Sequence, residues 1–215
     1  MLVIFDCDGV LVDTEPVSNQ AFAAALVPHG LHWSVAESMR RLMGRSLASC
    51  IAIVEQELGR KLPDDFAERL QAGTFQAFRD LPIAPVAGVP AMLDALKARS
   101  IDFCVASSGA VHKMQLTLGL TGLWPYFEGR VFSASMVARG KPHPDLFLHA
   151  AASLGVEPRR CVVVEDAIPG VQAGRAAGMR VLAYAGAPYA DRAGLEAAGG
   201  QPFDDMRELP LLLLA

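Results

Sequence analysis

The sequence predicts an α/β fold: a three-layer, doubly wound parallel sheet with a helical segment inserted after its first strand. Three observations carry this. Short apolar runs recur at Leu2–Phe5, Phe103–Ala106, Val131–Phe132, Cys161–Val164 and Val181–Tyr184. Helical spacing fills most of the gaps between them, the pattern of strands covered on both faces. From Thr14 to about Leu81 the strand signal is missing and helical spacing runs alone.

In chain order, Leu2–Phe5 is the first strand and ends at Asp6-Cys7-Asp8-Gly9. The insertion carries helical patterns at Asn19–Leu26, Val35–Leu42, Leu47–Leu58 and Asp64–Phe78. Gly59-Arg60-Lys61-Leu62-Pro63 marks a helix end and a restart. Leu81-Pro82-Ile83-Ala84-Pro85 reads as a stiff linker back to the α/β pattern. Residues 1–13 with 83–215 are thus expected to form the α/β unit, and 14–82 a helical one. In the returning part, Val89–Ala98 places Met92, Leu93 and Leu96 on one helix face behind Gly88-Val89-Pro90. Further helices are expected at His112–Leu118, Pro144–Leu154 and Gly170–Ala177. The run Leu209–Leu214 is too short to span a membrane and reads as a core-packing terminal segment.

Composition narrows the function classes. A chain of 215 residues that is 52% hydrophobic can bury a sizeable core. Its net charge of −4, without a basic run, argues against nucleic acid or an anionic membrane as partner. The first apolar run lacks a basic leader and is broken by Asp6, unlike a signal peptide. Cys7, Cys50, Cys104 and Cys161 show no CxxC spacing, so buried thiols in a reducing cytoplasm are expected. Cys7, beside two acids, is the one open to oxidation.

The chemistry concentrates at strand ends. Asp6 and Asp8 are spaced i, i+2, which puts both carboxylates on one side of an extended chain. Like charges ~4 Å apart cost roughly 4 kcal/mol at an effective dielectric of ~20. A hard divalent cation is the usual remedy. Val105-Ala106-Ser107-Ser108-Gly109 can offer hydroxyl and amide donors from Ser107 and Ser108 to a phosphate oxygen. Lys141, in Gly140-Lys141-Pro142-His143-Pro144-Asp145, is a cation on a loop stiffened by two prolines. His143 reads as an ordinary loop histidine. Val162-Val163-Val164-Glu165-Asp166 ends another apolar strand in paired acids before a glycine-bearing helix start. Open α/β sheets bind ligands at the carboxyl ends of their strands, where all four pieces fall.

Asp6-Cys7-Asp8-Gly9-Val10-Leu11-Val12-Asp13-Thr14, followed in order by Ser107, Lys141 and Glu165-Asp166, strongly resembles the haloacid dehalogenase superfamily. Within it, the chain looks like the β-phosphoglucomutase-like branch. Lys113-Met114-Gln115 and Trp124-Pro125-Tyr126-Phe127 give a looser likeness to bacterial 6-phosphogluconate phosphatases. The resemblance implies a Rossmann-like core with the helical insertion as its cap. It implies Asp6 as nucleophile, Asp8 as general acid/base, Ser107 and Lys141 as phosphate binders, and Mg²⁺ held by Asp6, Asp8, Asp166 and Glu165. The expected ligand from Asp8 is its backbone carbonyl. The implied partner is a small phosphate monoester, a sugar or sugar-acid phosphate, and the implied state a monomer or weak homodimer. Some relatives have two aspartates where this chain has Glu165-Asp166, which leaves direct or water-mediated ligation by Glu165 open. Gly44 and Arg45, between two cap helices, are candidates for substrate specificity, Arg45 through a bidentate grip on a second anion. A sugar-phosphate mutase and a non-catalytic binder remain alternatives. Some mutase relatives carry a histidine where this chain has Ser18, so hydrolysis is expected.

Overall fold

The computed structural model describes residues 1–42 and 47–214, which divide into two compact units, Met1–Asp13 with Ala84–Ala215, and Thr14–Ile83. The first unit opens with β1 (Leu2–Phe5), every residue of which is buried. A tight loop follows, in which the amides of Leu11 and Val12 both donate to the Cys7 carbonyl. Gly9 takes φ +77° there, a left-handed conformation that a side chain would resist. β2 (Val12–Asp13) then leads to the helical unit.

That unit contains α1 (Glu15–Leu26), α2 (Val35–Leu42), α3 (Leu47–Leu58) and α4 (Phe66–Asp80). It has a core of its own, with Phe22, Leu26, Trp33, Val54, Phe66 and Leu70 among its members. Helical spacing alone located α2 and α3; α1 starts earlier than the pattern suggested, at a Glu-Pro pair suited to a first turn.

The chain returns through β3 (Ala84–Pro85), antiparallel to β2, with Asp13 opposite Ala84. The segment expected to be a plain linker is therefore partly a strand. Proline can close such a short edge because no further strand needs its missing N–H. The rest of the unit runs α5 (Val89–Ala98), β4 (Asp102–Ser107), α6 (Val111–Leu120), α7 (Trp124–Phe127), β5 (Val131–Ser133), α8 (Asp145–Ser153), β6 (Cys161–Glu165), α9 (Ile168–Ala176), β7 (Arg180–Tyr184), α10 (Arg192–Ala197), β8 (Gln201–Phe203) and α11 (Leu209–Leu212).

Six of these strands form one parallel sheet in the order β5-β4-β1-β6-β7-β8. One face, including Leu2, Ile4, Cys104 and Val163, packs against Phe147 and Ala150 of α8 and Val171 of α9. On the other face Phe5 and Phe103 meet edge to face, and both pack on Phe127 of α7. The sheet is thus covered on both sides, as its unbroken apolar strands require. The chain winds outward from β1 through β4 to β5, then returns to the other side of β1 at β6. That reversal opens a crevice beyond the carboxyl ends of β1 and β6.

All four cysteines are free and buried. The terminal segment packs only in part: Leu209 and Leu213 are buried, whereas Leu211 and Leu214 are exposed. Among the described residues no helix is long and apolar enough to cross a membrane.

Candidate active site

Asp6 directly follows β1, and its amide donates to the Val164 carbonyl of β6 at 2.9 Å, which extends the ladder to the sheet edge. Its carboxylate accepts a 2.6 Å hydrogen bond from Lys141 Nζ. The same ammonium donates to Glu165 Oε1 at 2.6 Å and to the Ala106 carbonyl at 3.1 Å. The three protons of one lysine therefore reach β1, β4 and β6, three adjacent strands. The Lys141 side chain is 6% exposed, and its ammonium also lies 5.0 Å from the centroid of the Phe147 ring. Arg139 and Asp145 form a bidentate pair that clips together the loop carrying Lys141.

Glu165 ends β6 and is buried. Its Oε2 accepts the amides of Asp166 and Ala167, at 3.0 and 3.1 Å, just before α9 begins. A Cβ at Gly170 would sit 1.9 Å from this carboxylate, so a glycine in the first turn of α9 makes room for it. Gly9 serves Asp166 in the same way: a Cβ there would lie 2.0 Å from Asp166 Oδ2.

Asp8 points elsewhere. Its Oδ2 accepts a 2.8 Å hydrogen bond from Lys113 Nζ of α6. Ser107, at the end of β4, is buried; its Oγ accepts the Gly109 amide at 3.1 Å, and its O–H is the donor it can offer a phosphate oxygen. Ser133 of β5 donates to the Gly109 carbonyl at 2.8 Å and so braces the same loop. Ser108 is exposed on that loop. Gly44 and Arg45 lie outside the described residues.

Asp6, Glu165 and Asp166 can each present an oxygen within 4.8 Å of the others, and among the described residues this is the acidic cluster able to hold a metal ion. The Asp8 carboxylate is not a member. Counting Asp8, four carboxylates face two ammonium groups among the described residues, an excess that a divalent cation would balance. The protonation of Asp6 agrees. Burial above all, with Glu165 and Asp8, pushes its carboxyl up to about 7 in the metal-free protein, against the downward pull of Lys141. Burial of Lys141 disfavours its charge, but Asp6 and Glu165 outweigh that and raise it above the ordinary lysine range. The residues present thus fit a hard cation such as Mg²⁺. Burial, then the charges of Asp8 and Asp6, also raises the Cys7 thiol well above its usual value, which keeps it a neutral, poorly reactive thiol.

Sequence reasoning did not assign Lys113 a role. It lies 105 residues from its partner Asp8, and only the parallel packing of β4 beside β1 brings them together. The signals in the sequence are its place in the first turn after Ser107-Ser108-Gly109 and in the run Lys113-Met114-Gln115.

Comparisons with known proteins place the chain in a family. Residues 1–178 match the haloacid dehalogenase-like hydrolase family. The 6-phosphogluconate phosphatase of Escherichia coli is 33% identical over 87% of this chain and 83% of its own. The fructose-1-phosphate phosphatase YqaB of Escherichia coli is 36% identical over 82% and 92%. A haloacid dehalogenase family hydrolase of Deinococcus radiodurans, solved with bound phosphate and sodium, superposes with a TM-score of 0.80 at 32% identity, over 97% of this chain and 92% of that one. With most of its length matched and phosphatases among its relatives, the chain belongs to the haloacid dehalogenase-like hydrolase family and is a phosphoric monoester hydrolase.

Proposed function

We propose that this enzyme is a Mg²⁺-dependent phosphatase of sugar or sugar-acid phosphates that works through a phosphoryl group carried on Asp6. The observation that supports this most is the placement of Asp6: a buried carboxylate at the end of the central strand, held by Lys141, with a second carboxylate two residues on held by a different lysine. A nucleophile and a proton carrier need such separate supports.

In the first half-reaction an Asp6 oxygen forms a bond to phosphorus as the bond to the leaving oxygen breaks. Asp8 gives its proton to that oxygen, so the organic product departs as a neutral alcohol. In the second half, Asp8 takes a proton from water while the water oxygen attacks phosphorus and the Asp6–phosphorus bond breaks. Inorganic phosphate leaves and Asp6 is restored. Lys141 offsets the repulsion between the Asp6 carboxylate and a phosphate dianion. Ser107 and the loop to Gly109 supply neutral donors to the phosphoryl oxygens. Asp6 and Asp166, with Glu165 and the Asp8 carbonyl, would hold Mg²⁺, which supplies further charge neutralisation at phosphorus. Glu165 also anchors Lys141 and the amides that lead into α9, through hydrogen bonds to both its oxygens. The unit Thr14–Ile83 is assigned the role of substrate-selecting cap.

The test is phosphate release over a panel of sugar phosphates, sugar-acid phosphates, nucleotides and phosphoglycolate, before and after chelation. The expected result is turnover on sugar or sugar-acid phosphates that chelation abolishes and Mg²⁺ restores. Full activity after exhaustive chelation contradicts the metal assignment. Rapid conversion of β-glucose 1-phosphate to glucose 6-phosphate, with little free phosphate, contradicts hydrolysis.

A further inference from the structure

We propose that Lys113 is a positioning residue for proton transfer: it fixes Oδ2 of Asp8 so that Oδ1 carries the proton to and from the reacting oxygens. The inference rests on the reading of Asp8 as proton carrier.

The geometry comes from one face of α6. Lys113 and Thr117 are spaced i, i+4 and so share that face. Lys113 Nζ donates to Asp8 Oδ2 at 2.8 Å. Thr117 Oγ1 lies 3.9 Å from Cys7 Sγ and donates to the Lys113 carbonyl at 3.1 Å. Two consecutive residues of the loop after β1 are thus engaged by two residues one turn apart on a single rigid helix. Gly109 completes the seat: a Cβ there would meet Lys113 Cδ at 3.4 Å, Ser107 Oγ at 3.5 Å and Asp8 Oδ2 at 3.9 Å. The lysine stem, the phosphate-binding hydroxyl and the proton carrier therefore converge on one bare Cα.

The hydrogen bond to Oδ2 does not depend on the proton that Asp8 transfers. A carboxylate accepts at both oxygens; a carboxylic acid protonated at Oδ1 still accepts at Oδ2. Lys113 can therefore hold the side chain still through both halves of the cycle. Misplacing a reacting group by ~1 Å can cost about 10²-fold in rate.

Leaving-group chemistry provides the test. An alkoxide needs protonation as it departs; p-nitrophenolate does not. First-turnover release of the leaving group, with enzyme in excess, is compared for p-nitrophenyl phosphate and for the alkyl phosphate turned over fastest in the panel. Lys113→Met should slow the alkyl ester about 10²-fold and p-nitrophenyl phosphate less than about fivefold, with KM nearly unchanged. Lys113→Arg should recover part of the lost rate, and Asp8→Asn should show the same selectivity, more strongly. Equal slowing of both esters by Lys113→Met, or a rise in KM at constant kcat, overturns the positioning role while Asp8→Asn remains selective. Loss of selectivity in Asp8→Asn as well overturns the reading of Asp8 itself.

Discussion

Two lysines meet two aspartates within the same short loop, and their surroundings differ. Lys141 is 6% exposed and binds Asp6, Glu165 and a backbone carbonyl at once. Lys113 is 24% exposed and meets an Asp8 carboxylate that is 20% exposed. A buried ammonium with three fixed acceptors is a permanent part of the site's charge. A partly solvated pair leaves its carboxylate within reach of solvent, as the proposed proton transfer by Asp8 requires. Asp6 is held by the lysine buried against the sheet; Asp8 is held from the side by a lysine of α6.

The largest effect should come from Lys141. Lys141→Met leaves Asp6 and Glu165 buried without their shared cation, and breaking a buried pair this way costs about 3–5 kcal/mol. Urea denaturation should show that loss, and the same variant should lose at least ~10³-fold in kcat. Stability within about 1 kcal/mol of the unaltered protein would mean that the Lys141 site is not the buried anchor described here.

Proton linkage gives the next effect. Because Asp6 is raised to about 7, it carries a proton below that pH in the metal-free protein. Mg²⁺ binding should then displace one proton, so affinity should fall by up to about tenfold per pH unit below 7 and level off above it. The stability of the metal-free protein has the opposite trend. The folded state holds this proton where the unfolded one has lost it, so stability declines as pH rises from the ordinary value of 3.8 towards 7. Calorimetric titration of Mg²⁺ across pH checks the first trend; pH-independent affinity below 7 would show that Asp6 is already ionised.

The smallest effect sharpens the contrast. Lys113→Met should change stability by less than about 1 kcal/mol, the usual scale for a solvent-accessible ion pair, despite its larger effect on proton transfer. Destabilisation as large as that of Lys141→Met would erase the distinction between anchor and support.

The central strands were legible because continuous apolar runs have few alternatives; β1 spans Leu2–Phe5, where the apolar run lies. Strands set by their neighbours were not. β8 is three residues at the sheet edge with a proline inside, and β2 and β3 are two residues each, too short for any periodic signal. Among the residues assigned to chemistry, Asp6, Glu165 and Asp166 come together because each ends or directly follows a strand whose end the sequence marks; Lys141 joins them from the loop between β5 and α8. Lys113 was illegible because a single helix-start lysine gains meaning only from a partner 105 residues away.

The proposed mechanism requires Asp6 to carry the phosphoryl group. The most direct measurement is a rapid quench of Asp8→Asn during its first turnover of p-nitrophenyl phosphate, followed by peptide mass analysis. This variant should form the phospho-enzyme readily, because the leaving group needs no proton, and hydrolyse it slowly, because no base activates water. The expected result is one phosphoryl group on the peptide bearing Asp6, appearing with the nitrophenolate. Nitrophenolate released together with an equal amount of inorganic phosphate, and no modification at Asp6, would contradict the account.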